Sequence, residues 1–141
     1  MTASPSPPTQ VAGRGDRFAR VVAVLVGLVF VAAGAWAFAT PYSFFDAAAT
    51  FEPFNTHLIR DIGAFQLGLG AVLLLAVVVR DALLAALTGV AVGAVFHLLA
   101  HVIDRDLGGD PTVDIPQFAI IAALLVAAAV VRARTRRPGG H

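Results

Sequence analysis

Twenty consecutive residues from Val21 to Thr40 (VVAVLVGLVFVAAGAWAFAT) carry no charge, and a helix of about 20 residues spans the ~30 Å hydrocarbon layer of a bilayer. The chain repeats this three times: an uncharged stretch from Ile62 to Val79, one from Ala82 to Ile103 interrupted only by His97 and His101, and one from Ile115 to Val131 at the short limit for a span. Charged residues make up 13% of the 141, against roughly 25% in a soluble domain, so lipid is the solvent this composition suits. The length suits one domain. A net charge of +1 leaves no basic patch for nucleic acid. The absence of cysteine removes disulfides, thiol catalysis, Cys-ligated zinc and iron–sulfur clusters together. The fold class expected is all-α, an integral membrane four-helix bundle.

Composition sets the expected organisation. Residues 1–17, rich in Pro, Ser, Thr and Gly without apolar period, read as a disordered tail. The bundle occupies 18–131, with spans at about 21–40, 58–79, 82–103 and 115–131, and 132–141 form a basic tail. Between the first two spans, Tyr42, Phe44, Phe45, Phe51 and Phe54 alternate with Asp46 and Glu52, the amphipathic mix of a segment pinned at the interface. Asn55 is placed to cap the second helix. Arg80-Asp81 forms a minimal turn, Gly108-Gly109 stop the third helix, and Asp114 caps the fourth with Pro116 in its first turn.

Arginines near membrane segments stay on the cytoplasmic side. Arg14, Arg17 and Arg20 precede span one, Arg80 separates spans two and three, and Arg132, Arg134, Arg136 and Arg137 follow span four. In a four-span chain these places share one side. Both termini are therefore expected in the cytoplasm of a bacterial plasma-membrane protein, with Asp46, Glu52, Asp104, Asp106, Asp110 and Asp114 outside. Ala37-Phe38-Ala39 resembles a signal-peptide cleavage site, but twenty apolar residues exceed the about 7 to 15 of a signal h-region, which favours a retained helix.

Helices in lipid associate through small residues. Ala85, Gly89 and Gly93 form a row that continues into His97 and His101, and it is expected to be the packed side of the third helix. Gly63, Gln66 and Gly70 form a matching face on the second, its expected antiparallel neighbour. Pairing residues equidistant from the turn sets Arg60 level with His101, Asp61 with Ala100, Ala64 with His97, and His57 with Asp104. A polar site of His57, Arg60, Asp61 and Gln66 beside His97, His101 and Asp104 is the result.

Ionisable residues inside a membrane are costly and mark sites. His97, His101 and Asp104 lie within about 60° of arc on one helix and can supply three metal ligands, with Glu52, Asp61 or water completing the sphere. The histidines and Asp61 can equally relay protons. The packing alternative needs no cofactor: His101 and Asp104 reach interfacial water, Arg60 pairs with Asp104 or Asp61, and His97 bonds Gln66 or a carbonyl. There is no G-x-S-x-G and no P-loop. Trp36 and Tyr42 read as interface anchors, and the C-terminal arginines as topology signals touching anionic lipid.

The segments PFNTHLIRDIGAFQLGLG (Pro53 to Gly70) and FHLLAHVIDRDLGG (Phe96 to Gly109) resemble a group of small four-helix actinobacterial membrane proteins similar to the DoxX-like superfamily. The resemblance spans about Arg20 to Val131. It implies a four-helix bundle from a high-GC bacterium, in keeping with the absence of lysine, but no established reaction and no catalytic residue to carry over. DoxX-like proteins are linked to redox or quinone systems, and this chain lacks the cysteines for thiol chemistry. The functional expectation is a non-enzymatic or accessory membrane protein with an outward polar site, surrounded by lipid and open to a membrane-protein partner or a second copy. The alternatives are a metal- or haem-dependent membrane enzyme and a small-molecule or proton-binding protein. Four short helices without an inverted repeat disfavour a carrier.

Overall fold

The computed structural model describes residues 13–79 and 81–136. Most of the expected N-terminal tail, Arg80 and Arg137 lie outside them. Five helices and no strand occur among the described residues: α1 Arg14–Ala39, α2 Pro41–Ala48, α3 Thr56–Val78, α4 Leu83–Ile103 and α5 Pro111–Arg136. All but α2 are long and apolar enough to cross a membrane.

Local signals account for most boundaries. The Asn55 side chain accepts hydrogen bonds from the backbone N–H of His57 (3.0 Å) and Leu58 (3.1 Å), the N-cap expected at α3. Asp81, at φ +66°, takes the left-handed conformation that Asp tolerates and that a tight reversal needs. Two boundaries differ from the sequence reading. The segment after Pro41 is not a loop throughout, because Pro41 opens α2 at its first position, where its missing N–H costs nothing. Helix α5 starts at Pro111 and not at Asp114. Asp110 is its cap, accepting from Thr112 N at 2.9 Å and Thr112 Oγ1 at 2.6 Å. These bonds hold the Asp110 carboxyl below the usual carboxylate range, the Thr112 hydroxyl first among them. Asp114 reaches back instead, accepting from Asp110 N at 3.1 Å, and Pro116 lies inside the helix.

The tightest packing is between α1 and α3 and is built on glycine. A Cβ on Gly34 would stand 2.7 Å from both Gly63 O and Leu67 N, and one on Gly70 would stand 2.7 Å from Gly27 O. Gly34 meets Gly63 and Gly27 meets Gly70, so the numbering rises on one helix as it falls on the other and the two run antiparallel. The second most extensive contact joins α4 to α5, while α3 and α4, despite their short connection, touch much less. One apolar cluster fills the half of the bundle that holds the α3–α4 turn, with Ala19, Val26, Leu73, Leu87 and Leu125 at its centre. A smaller one at the other end packs Phe44 and Phe45 of α2 onto Ala37 and Ile59.

The expected small-residue face of α4 is corrected. Gly89 and Gly93 are exposed, and a Cβ on either would meet nothing within 4 Å. The buried face carries Leu83, Leu87, Val90 and Ala91. The reason is angular: a four-residue step turns ~400°, so the row from Ala85 drifts ~40° per step and comes round towards the packed side only at His101. Gly93→Leu is therefore expected to leave the detergent melting temperature within a degree or two of that of Val92→Leu, another exposed position. A drop of more than about 5 °C for Gly93→Leu alone would place that face in a contact.

Charges close the end opposite the two long loops. The Asp16 carboxylate, with its side chain 11% exposed, accepts from Arg20 Nε at 2.8 Å and from Arg132 of α5. Arg20 also donates to Val77 O at 2.6 Å, one of the carbonyls that the end of α3 leaves unpaired. Arg136 pairs with Asp81. Asp16, read from the sequence as tail, thus lies in α1 and ties α1 to α5. Arg132 and Arg136, read as lipid-facing topology signals, both hold carboxylates.

Candidate functional site

A cavity of about 380 Å³ opens at the end of the bundle that holds the α2–α3 and α4–α5 loops. It lies between α3 on one side and α4 and α5 on the other, which is why α3 and α4 make so little contact. Phe44 and Phe51 roof it, from α2 and the loop that follows. That roof is fastened: Gly109 N donates to Thr50 O at 3.2 Å, and a Cβ on Gly108, at φ +142°, would stand 2.6 Å from the same oxygen. The two loops meet because Gly108 leaves room for this approach.

Among the described residues five polar side chains line the cavity: Gln66 from α3, His97 and His101 from α4, Asp104 at the α4 C-cap, and Asp114 from α5. The imidazoles of His97 and His101 stand edge to face with centroids 4.7 Å apart. Each ring also packs 4.5 Å from Phe118, so one α5 aromatic holds both. The Oε1 atom of Gln66 is enclosed and finds no hydrogen-bond partner. A buried amide oxygen left unpaired costs about 1–3 kcal/mol, so Gln66 lowers the stability of this end of the bundle. The apolar cluster around Leu73, Leu87 and Val90 fills the bundle towards the arginine-rich end. No ionisable side chain lies between the cavity and the Asp16 network among the described residues.

The structure divides the polar constellation expected from the sequence. His97, His101, Asp104 and Gln66 come together in the cavity. His57 and Asp61 form a separate exposed pair on α3, Nε2 to Oδ2 at 3.4 Å, and Arg60 is exposed and makes no ion pair among the described residues. Residues at equal depth on α3 and α4 meet only where the two helices stay side by side along their length. They do not, so residues at equal depth need not meet. Among the described residues no three His, Asp or Glu side chains are grouped to hold a metal ion. The sequence reading missed Asp114 and Phe118 as site residues. The signal for Asp114 was Asp110-Pro111, a cap followed by an N1 proline, which moves the helix start and sets Asp114 one turn inside it.

Trp36 extends the site outward. Its Nε1 donates to Ser43 Oγ at 3.2 Å, and its ring stands edge to face with Phe44 at 5.3 Å, so the single tryptophan contacts the cavity roof. Compared with family models, with curated proteins and with solved structures, the chain finds no match in any of the three.

Proposed function

We propose that this chain is a small multi-pass protein of the bacterial plasma membrane, with both termini in the cytoplasm, that binds a small molecule in a cavity open to the outside. The role is that of a binding or accessory protein and not an enzyme, in line with the likeness of Pro53–Gly70 and Phe96–Gly109 to small four-helix membrane proteins. The observation that carries the reading is where the cavity lies. It occupies the end of the bundle with the acidic loops, opposite the end where Arg14, Arg17, Arg20, Arg132, Arg134 and Arg136 gather, and positive residues stay in the cytoplasm. The cavity volume and the few polar groups on an aromatic-rich wall suit a ligand site.

The chain has no cysteine, so single cysteines report without background. In intact cells an impermeant thiol reagent is expected to label Ser43→Cys, Thr112→Cys and, through the open cavity, Ala100→Cys. Thr135→Cys is expected to react only after the cells are opened. Labelling of Thr135→Cys alone would reverse the orientation, and protection of Ala100→Cys beside a reactive Thr112→Cys would show a cavity closed to the outside.

A further inference from the structure

The identity of the cavity's polar atoms limits what enters it. Asp104 and Asp114 present carboxylates, which accept hydrogen bonds, while the imidazoles both accept and donate. Among the described residues no lysine or arginine lines it. Arg105 at the same end is exposed and lies 3.7 Å from Asp106, and Arg60 is exposed. An anion would meet two carboxylates with no cation to balance them. A cation meets opposite charge, together with the aromatic rings of Phe44, Phe51 and Phe118, a residue type to which ammonium groups are also drawn.

We propose that the cavity binds a small organic amine in its protonated form, its ammonium held between Asp104 and Asp114 and its apolar body against Phe44, Phe51 and Phe118. This names the ligand class of the outward site proposed above and rests on that reading. A free amine fits better than the ethanolamine headgroup of a phospholipid, because the headgroup's phosphate would need a cation and no arginine lines the cavity among the described residues. Asp114 also accepts from Asp110 N, so the group that meets the ligand is set in place by the α5 cap.

The test uses the full-length protein in an uncharged detergent, titrated with benzylamine, benzyl alcohol, benzoate and a short-chain phosphatidylethanolamine. Binding is read by calorimetry and by the emission of Trp36, which contacts the Phe44 roof. Benzylamine is expected to bind, benzyl alcohol at least tenfold more weakly, and benzoate and the phospholipid not measurably. Asp104→Asn with Asp114→Asn keeps the side-chain shapes and the acceptor for Asp110 N, and is expected to weaken benzylamine at least tenfold. Gln66→Leu is expected to raise the melting temperature of the ligand-free protein, since it removes an unpaired buried acceptor. A melting curve for each variant shows that it is folded. Absence of benzylamine binding, benzoate or phospholipid binding as tightly as the amine, or amine affinity unchanged in the double Asn variant would each overturn the proposal. If Ala100→Cys is labelled from outside while benzylamine fails to bind, the ligand class falls and the outward site stands. If Ala100→Cys is protected, the site itself falls.

Discussion

Gly34→Leu is expected to leave no stable bundle in detergent, and Gly34→Ala to lower stability by about 1–3 kcal/mol, the usual cost of overpacking a closed contact. The added Cβ meets Gly63 O and Leu67 N at 2.7 Å. Both are backbone atoms inside a helix, so no side chain can swing away, and α1 must separate from α3. In lipid that separation is not offset by apolar burial elsewhere, since helix association there depends on close van der Waals packing. Gly63→Ala should behave in the same way, its Cβ standing 2.8 Å from Gly34 O and Phe38 N. Gly68→Ala is the control, because nothing lies within 4 Å of its Cβ, and it is expected to match the parent or exceed it by the helix propensity of alanine over glycine, about 0.5–1 kcal/mol. Equal melting temperatures for Gly34→Ala and Gly68→Ala would refute the α1–α3 seam.

Asp16→Ala is expected to cost about 3–5 kcal/mol, as breaking one side of a buried ion pair does. The Arg132 side chain is 15% exposed and its Nε is already enclosed without a partner, so the loss of Asp16 strands a cation between α1 and α5. Arg20 suffers less, since Val77 O remains for it. Asp16→Asn should cost less than Asp16→Ala, because its one amide oxygen still accepts from one of the two guanidinium groups. Asp81→Ala removes the exposed partner of Arg136, 71% accessible, and such pairs are worth about 0–1 kcal/mol. Denaturant unfolding of the three variants in one detergent ranks them. Asp16→Ala no worse than Asp81→Ala would mean that water reaches the Asp16 pocket.

Much of the fold was legible because a bilayer simplifies the code. Every backbone polar group in hydrocarbon must be paired within its own segment, so a long uncharged run reads as a helix almost without regard to its other residues. The four spans, the Asn55 cap and the turn at Asp81 followed from that and from local chemistry. The short helix α2 did not, because eight residues carry too weak a period, and Pro41 reads as a helix stop as readily as a helix start. The His97–His101 pairing was visible as i,i+4 spacing, since four residues along one helix bring side chains together whatever surrounds it.

The sequence by itself determined the number of spans, the all-helical class, the arginine asymmetry between the two ends, and which ionisable residues lie near the apolar core. Only the tertiary structure decided which helix touches which. Glycine rows occur on both α3 and α4, and nothing local says that Gly63 and Gly70 face α1 while Gly89 and Gly93 face outward. That choice depends on which pair of helices brings glycine opposite glycine along its whole length, a property of two segments at once. It sends α3 to α1 and α4 to α5, draws α3 and α4 apart beyond their turn, and opens the cavity between them. The same choice separates His57, Arg60 and Asp61 from His97 and His101 and brings Asp114 and Phe118 in their place, because neighbours across a bundle are set by packing angles and not by distance from a turn.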